Sequence, residues 1–112
     1  MFGNGKDHIE KLVLKNKWEK ITAMLGKANE QTRLDIAEAC SKSSEDESMN
    51  TLIRLIRDQS EAVQMQAIKS LGISGRASTK SHLSHLMQNL PEGKDEVRRT
   101  IMESLAAISK RT

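Results

Sequence analysis

One apolar pattern recurs through this chain at a spacing of 31 residues, and it restricts the fold to a stack of paired helices. Its clearest copy is TLIRLIRDQSEAVQMQAIKSLGISG, from Thr51 to Gly75: an amphipathic helix, a short polar turn, then a second amphipathic helix closed by glycine. Further copies flank it on both sides. A unit of this size cannot bury its apolar face alone, so neighbouring units must stack on one another.

Aligned on the first helix of each pair, Ile21, Leu52 and Leu83 fall in register, followed by Met24, Leu55 and Leu86 and then by Leu25, Ile56 and Met87. That i, i+3, i+4 spacing marks one face of a helix. In the second helix, Thr32, Val63 and Val97 open a frame that continues through Ile36, Ala67 and Ile101, then Ala37, Ile68 and Met102, then Cys40, Leu71 and Leu105. All three copies are therefore expected to bury the same face. The offset holds at 31 until the last second helix, where three extra residues enter around Leu90-Pro91-Glu92-Gly93. An insertion that leaves both helices in register must sit in a turn, which proline and glycine tolerate and a helix interior does not.

Turn residues support the same boundaries. Asn29 and Ser60 hold one repeat position just ahead of the second helix, where each can accept a backbone N–H as an N-cap. Lys94 stands there in the third copy, which predicts either a helix starting one residue later with Asp95 as its cap or a helix that is poorly capped. Gly72 and Gly75 predict a left-handed stop to the middle second helix. Ahead of the first pair, Ile9 to Val13 carries another apolar face, separated from Trp18 by Lys15-Asn16-Lys17. This predicts a short capping helix against which Trp18 packs. The expected organisation is one all-α domain over 1–112, a right-handed superhelix of about three helix pairs, with a cap at 7–15 and repeats at about 16–46, 47–77 and 78–111. No polar-faced cap follows the last helix, so Ile101, Met102, Leu105 and Ile108 are expected to leave apolar surface there, open to self-association or a partner.

Composition fits tight helix packing: there is one Trp, one Phe and no Tyr, against six Met. The single Cys40 excludes an internal disulfide and suits a reducing compartment, so the expected location is cytoplasmic. MFGNGKDHIEKLV lacks the apolar run of a secretory leader. No segment approaches the roughly 20 apolar residues of a membrane span. Eighteen Lys and Arg against fifteen Asp and Glu leave a net charge of +3, too small to select a class of partner.

In this frame the chain resembles the short HEAT-like repeats of bacteria and archaea, the kind also found in phycobilin lyases. Those repeats read as a Leu-rich helix, an acidic turn, then V-R-x-x-A-A-x-A-L-G. Here that is TRLDIAEAC from Thr32, VQMQAIKSLG from Val63 and VRRTIMESL from Val97, within a resemblance running from about Ile9 to Ile108. It implies a HEAT/armadillo-like solenoid. In such repeats the arginine often joins a ladder with an acidic turn residue of a neighbour. Arg33 and Arg98 match the arginine, Gln64 replaces it in the middle copy, and Asp58 matches the acidic position, so the resemblance implies a structural ladder of Arg33, Asp58 and Arg98 in which Asp58 is a candidate partner for one or both arginines.

Helix-pair stacks usually work as binding surfaces, and the outward positions of the second helices are expected to line the concave face. Those positions carry Asp35, Gln66 and Thr100, then Glu38, Lys69 and Glu103. At the edge of the same face, Leu34 and Met65 fall two residues after their frame positions, with Arg99 in the third copy. Ordinary flank packing is the simpler reading of Leu34 and Met65, and a small apolar contact strip is the sharper one. Together these nine residues are the candidate site for an unidentified protein partner of a non-catalytic interaction or scaffold module.

Other chemistry is poorly supported. His82 and His85 lie three apart on one helix, but two ligands do not make a zinc site and residues 62–91 contain no Asp or Glu to complete one. Cys40 stands where the other copies have leucine, which predicts a buried, inert thiol rather than a nucleophile. Glu45-Asp46-Glu47 reads as a solvated acidic turn or helix start. No metal, cofactor or catalytic residue is therefore expected. A nucleic-acid-binding repeat is the first alternative, resting on the acid-free stretch with Lys69, Arg76 and Lys80. Those charges are sparse, and the face has no aromatic to stack a base. A lyase-like chaperone or enzyme subunit is the second alternative, and no residue points to it.

Overall fold

The structure, a computed structural model, describes residues 5–111. Residues 1–4, which open the stretch read above for a leader, lie outside that range, as does Thr112. Among the described residues the chain forms α1 (Gly5–Leu14), α2 (Trp18–Leu25), α3 (Glu30–Ala39), α4 (Asp46–Leu55), α5 (Glu61–Ser74), α6 (Lys80–Gln88) and α7 (Asp95–Arg111). Short 3₁₀ turns follow α3 at Cys40–Lys42 and precede α6 at Ala77–Thr79, and no strand occurs among the described residues. The fold is the all-α helical-repeat stack that the apolar period demands.

Its two layers follow from which face each helix buries. The helices α1, α3, α5 and α7 lie side by side in chain order, while α2, α4 and α6 pack across them. The described chain spans 40 × 30 × 21 Å, and its thinnest dimension is that of two helices laid one on the other. In this arrangement α1 takes the place of a second helix ahead of the first pair, packing on α3 much as α3 packs on α5. Its Ile9 and Val13 repeat the i, i+4 spacing of Ile36 and Cys40, and all four are buried. Trp18 is buried at the start of α2, with Nε1 donating to Asn16 Oδ1 at 3.3 Å. Asn16 turns the chain between α1 and α2 with a left-handed backbone, φ 58°, a conformation asparagine tolerates better than most residues.

The core is the repeat frame itself. Ile21, Leu52 and Leu83 are fully buried on the first helices, as are Ile36, Ala67 and Ile101 on the second. Each leucine or isoleucine so buried contributes roughly 1.5–3 kcal/mol. The third copy departs from the expected common face at one position. Ala37 and Ile68 are 0% exposed whereas Met102 is 56% exposed, because α5 covers Ala37, α7 covers Ile68, and no further described helix covers Met102. The expected apolar end is correspondingly smaller: Ile101 and Ile108 turn back into the core, Leu105 is half-buried, and Met102 alone of the four is open.

Serines tie the second helices together. Ser70 Oγ on α5 donates to the carbonyl of Ala37 on α3 at 2.7 Å, and Ser104 Oγ on α7 donates to that of Ile68 on α5 at 2.8 Å. The two serines share a repeat position, and so do the two carbonyls they reach. Each bond adds about 1 kcal/mol and leaves no buried hydroxyl unpaired. Beside Ser104, Gly72 lets the α5 and α7 backbones approach where a side chain would collide.

Helix ends explain where the elements stop. Asn29 Oδ1 accepts from Thr32 N at 2.9 Å and Ser60 Oγ from Val63 N at 3.3 Å, so both expected N-caps form. Of the two expectations for the third second helix, the poorly capped one holds. The helix keeps the register of the others, with Lys94 at the capping position and Asp95 already its first residue, paired with Arg98 at 3.2 Å. Lys94 has no oxygen to cap with, and its Nζ instead reaches Glu61 Oε1 at 2.8 Å. The expected left-handed stop after α5 is also corrected: Gly75 is extended, φ −67° and ψ 142°, and Gly72 lies within the helix. The inserted residues do fall in the α6–α7 turn, where Gly93 has φ +86°, a value that favours glycine.

Candidate functional site

The outward positions of α3, α5 and α7 lie on three adjacent helices, but the structure gives them different roles. On α3, Asp35 accepts from Gln31 Nε2 at 3.0 Å, and Glu38 pairs with Lys6 of α1 at 3.0 Å. The carboxylate of Glu38 raises the Lys6 ammonium above its ordinary range, chiefly through this hydrogen bond. Lys42, in the 3₁₀ turn after α3, joins Glu10 of α1 at 2.8 Å, a second ion pair onto α1. On α5, Gln66 Nε2 donates to Ser70 Oγ at 3.2 Å, while Lys69 is exposed. On α7, Arg99 stands 3.9 Å from Glu96 and Glu103 is exposed. Neither Lys69 nor Glu103 pairs with any group among the described residues.

Three of the nine candidates are less available than their spacing suggested. Thr100 is buried, and its hydroxyl donates to the carbonyl of Glu96 at 2.8 Å, a back-bond that turns a threonine inward without leaving its oxygen unpaired. It is therefore corrected from an outward contact to a buried packing residue. Leu34 and Met65 are half-buried and pack against the core, so much of their apolar area is already taken. The contact strip reduces to their outer edges, flanked by Asp35, Gln66, Lys69 and Glu103.

The ladder forms as one rung. Arg33 Nε and Nη2 reach Asp58 Oδ1 and Oδ2 at 2.8 and 3.1 Å, and Nη1 donates to the Ala28 carbonyl at 3.0 Å. Asp58 also accepts from Ser60 N at 2.9 Å. The pair is 16% and 10% exposed, which shields it from the screening that weakens surface ion pairs. Arg98 does not join: its partner is Asp95 on its own helix. Gln64 uses its amide differently, donating to the Ile56 carbonyl at 2.9 Å across the α4–α5 turn.

Groups considered for other chemistry are accounted for locally. Burial pushes the Cys40 thiol up to about 11, with the hydrogen bond of Ser48 acting the other way, so the thiolate is scarce at neutral pH. His82 and His85 are both exposed, and His85 Nδ1 meets Arg57 Nη2 at 2.9 Å. Among the described residues no group of three His, Cys, Asp or Glu is placed to hold a metal ion, and no helix is long and apolar enough to cross a membrane. Of the three cations in the acid-free stretch, Arg76 pairs with Asp46 and Lys80 Nζ contacts Ser109 Oγ at 3.4 Å.

Sequence reasoning missed a second set of inter-repeat contacts at the helix ends. Glu30 of α3 accepts from the hydroxyl of Ser60, the cap of α5, and Glu61 of α5 pairs with Lys94, at the same position before α7. Glu30 and Glu61 stand 31 residues apart, one repeat, and that spacing is the available signal. At the opposite end Arg111 reaches back from α7 to the closing turn of α5, donating from Nη1 to the Gly72 carbonyl at 2.6 Å and from Nη2 to that of Gly75 at 2.7 Å. Ser74 Oγ and Ser48 Oγ both donate to the Cys40 carbonyl, at 3.2 and 3.1 Å. Clefts remain between the first helices, one lined by Thr22 of α2 and by Asn50 and Arg54 of α4, the other opening at the α4–α5 turn.

Comparison with known proteins agrees with this architecture. The family model described as HEAT repeats matches residues 19–106, most of the chain. No curated protein and no solved structure matches the chain significantly.

Proposed function

Because the chain belongs to the HEAT-repeat family, we propose that it is a non-catalytic interaction module that holds a protein partner on the outward face of its second helices. HEAT repeats commonly mediate protein–protein interaction, and in a curved stack this is the concave face. The observation that carries the reading is the pair Lys69 and Glu103: two exposed charges of opposite sign at one repeat position on adjacent helices, neither spent on an internal contact. Beside them the outer edges of Leu34 and Met65 supply apolar contact, and Asp35, Gln66 and Arg99 supply a polar rim. Within the family, the frame from Thr32, Val63 and Val97 supports a place among the short repeats of the phycobilin-lyase type. The buried, unpaired Cys40 fits a reducing, cytoplasmic setting.

The test is a tagged pull-down from the native host, comparing wild type with a Lys69→Glu/Glu103→Lys variant. Both side chains are exposed, so the variant should keep its circular dichroism and melting temperature. A protein captured by wild type and lost from the variant supports the face. Equal capture by both, or recovery of nucleic acid alone, sinks it.

A second reading is favoured by Met102. Its exposure, where equivalent residues are covered by the next helix, supports self-association through α7.

A further inference from the structure

We propose that the cleft at the α4–α5 turn is a binding site for a phosphate dianion, held by Arg54 and Arg57. The cleft is an open depression of about 360 Å³ lined by Leu25 of α2, by Ala28 and Arg33, by Arg54 in the last turn of α4, and by Arg57, Asp58 and Gln59 of the turn. Three guanidiniums therefore share it with one carboxylate.

That carboxylate is already committed. Asp58 Oδ1 accepts from Arg33 Nε, and Oδ2 accepts from Arg33 Nη2 and Ser60 N, so Arg33 and Asp58 cancel one another. Arg54 pairs with nothing among the described residues. Among the described residues the Arg57 guanidinium bonds only His85 Nδ1, which accepts a hydrogen bond and orients the guanidinium without neutralising it. Neither guanidinium forms an ion pair with a carboxylate among the described residues, and Glu47 lines the adjoining cleft with Arg54.

The plainer role for arginines at the end of a helix is to cap its last carbonyls. Neither does so here. The Leu52 and Arg54 carbonyls accept from Ile56 N and Arg57 N, that of Leu55 from Asp58 N, and that of Ile56 from Gln64 Nε2. The guanidiniums keep their donors for a ligand. A phosphate monoester carries a charge of about −1.5 to −2 at neutral pH and offers three acceptor oxygens, matching two arginines better than a single carboxylate would. Planar guanidinium forks suit that group. The site shares no residue with the proposed partner face and does not depend on it.

The test is a ¹H–¹⁵N titration at constant ionic strength with inorganic phosphate and, separately, with a blocked phosphoserine, using sodium chloride as control. Saturable shifts are expected at the Nε–H groups of Arg54 and Arg57 and at the amides of Ala28 and Gln59. Arg54→Gln and Arg57→Gln should each weaken binding about tenfold, and both together should abolish saturation while circular dichroism is unchanged. Tighter binding of phosphoserine assigns the site to a phosphate ester, and equal binding assigns it to free phosphate. Shifts that merely follow those of chloride, or wild-type affinity in the double variant, would overturn the proposal.

Discussion

Ser104 Oγ lies 2.7 Å from the point where a Cβ on Gly72 would stand, and Ser104 Cα lies 3.2 Å from it. The α5–α7 contact is thus set at the width of a glycine and a serine. Alanine at 72 would gain up to about 1 kcal/mol in helix propensity but would overpack against the α7 backbone, at a cost of about 1–3 kcal/mol. Collision should win, because a backbone atom cannot swing aside. Gly72→Ala is expected to lower the urea midpoint, and adding Ser104→Ala should restore only part of it. An unchanged or raised midpoint in the single variant would refute the close contact.

The Arg33–Asp58 rung predicts an asymmetric response. Removing the carboxylate costs a partly buried guanidinium two hydrogen bonds and its only counter-charge among the described residues, so Asp58→Ala should destabilise by about 3 kcal/mol. Arg98→Ala, whose partner is on its own helix and nearly fully exposed, should cost less than about 0.5 kcal/mol. A double-mutant cycle between positions 33 and 58 measures the coupling directly, and near-additive losses would mean the rung contributes nothing.

Cys40 should be protected, and its titration should be visible in stability. Its pKa rises from 9.0 in the free thiol to about 11 in the fold. A raised folded pKa means the associated stability is whole below pH 9 and is lost as pH climbs from 9 through 11, at about 1.4 kcal/mol per unit. Relative to Cys40→Ala, which has no thiol to titrate, wild type should show that extra fall in denaturation experiments across the window. Iodoacetamide at pH 8 should modify native protein far more slowly than protein in urea, and comparable rates would contradict the burial.

Arg111 should matter although it is exposed. It caps two carbonyls at the end of α5, and after solvent screening its loss should cost about 1 kcal/mol. Arg111→Lys should recover less than half, because an ammonium lacks the planar fork. Hydrogen exchange should quicken in the last turn of α5 while that of α3 stays unchanged.

Met102 gives the self-association reading its readout. Sedimentation velocity over a hundredfold range of concentration should show dimer that Met102→Asp removes without unfolding the chain. A monomer throughout would leave α7 without a homotypic role.

Much of the architecture was legible because one rule governs it. The 31-residue period and the i, i+3, i+4 spacing are both consequences of burying one helix face, so Ile21, Leu52 and Leu83 announce themselves. The caps Asn29 and Ser60 were legible for a local reason, since a side-chain oxygen at that position has one nearby use. What escaped depended on tertiary neighbours. Ser70 and Ser104 are unremarkable in a helix until a carbonyl of the adjoining helix lies opposite. Thr100 reads as outward by spacing, yet its back-bond to Glu96 lets it turn in. Met102 fits the buried frame and is exposed only because no described helix follows. For Leu34 and Met65, alternation marked an edge but not how much of the edge the core would take.

The serine bonds also decide how the stack can deform. They join α3 to α5 and α5 to α7 backbone to side chain, so that side behaves as an inextensible spine. The first helices rest on the spine and are parted by clefts, so their edge can spread or draw together with few bonds broken. Any bending should therefore be anisotropic, stiff along the second-helix layer and compliant along the first, with a change of curvature felt first at Thr22, Asn50 and Arg54, which line one of those openings.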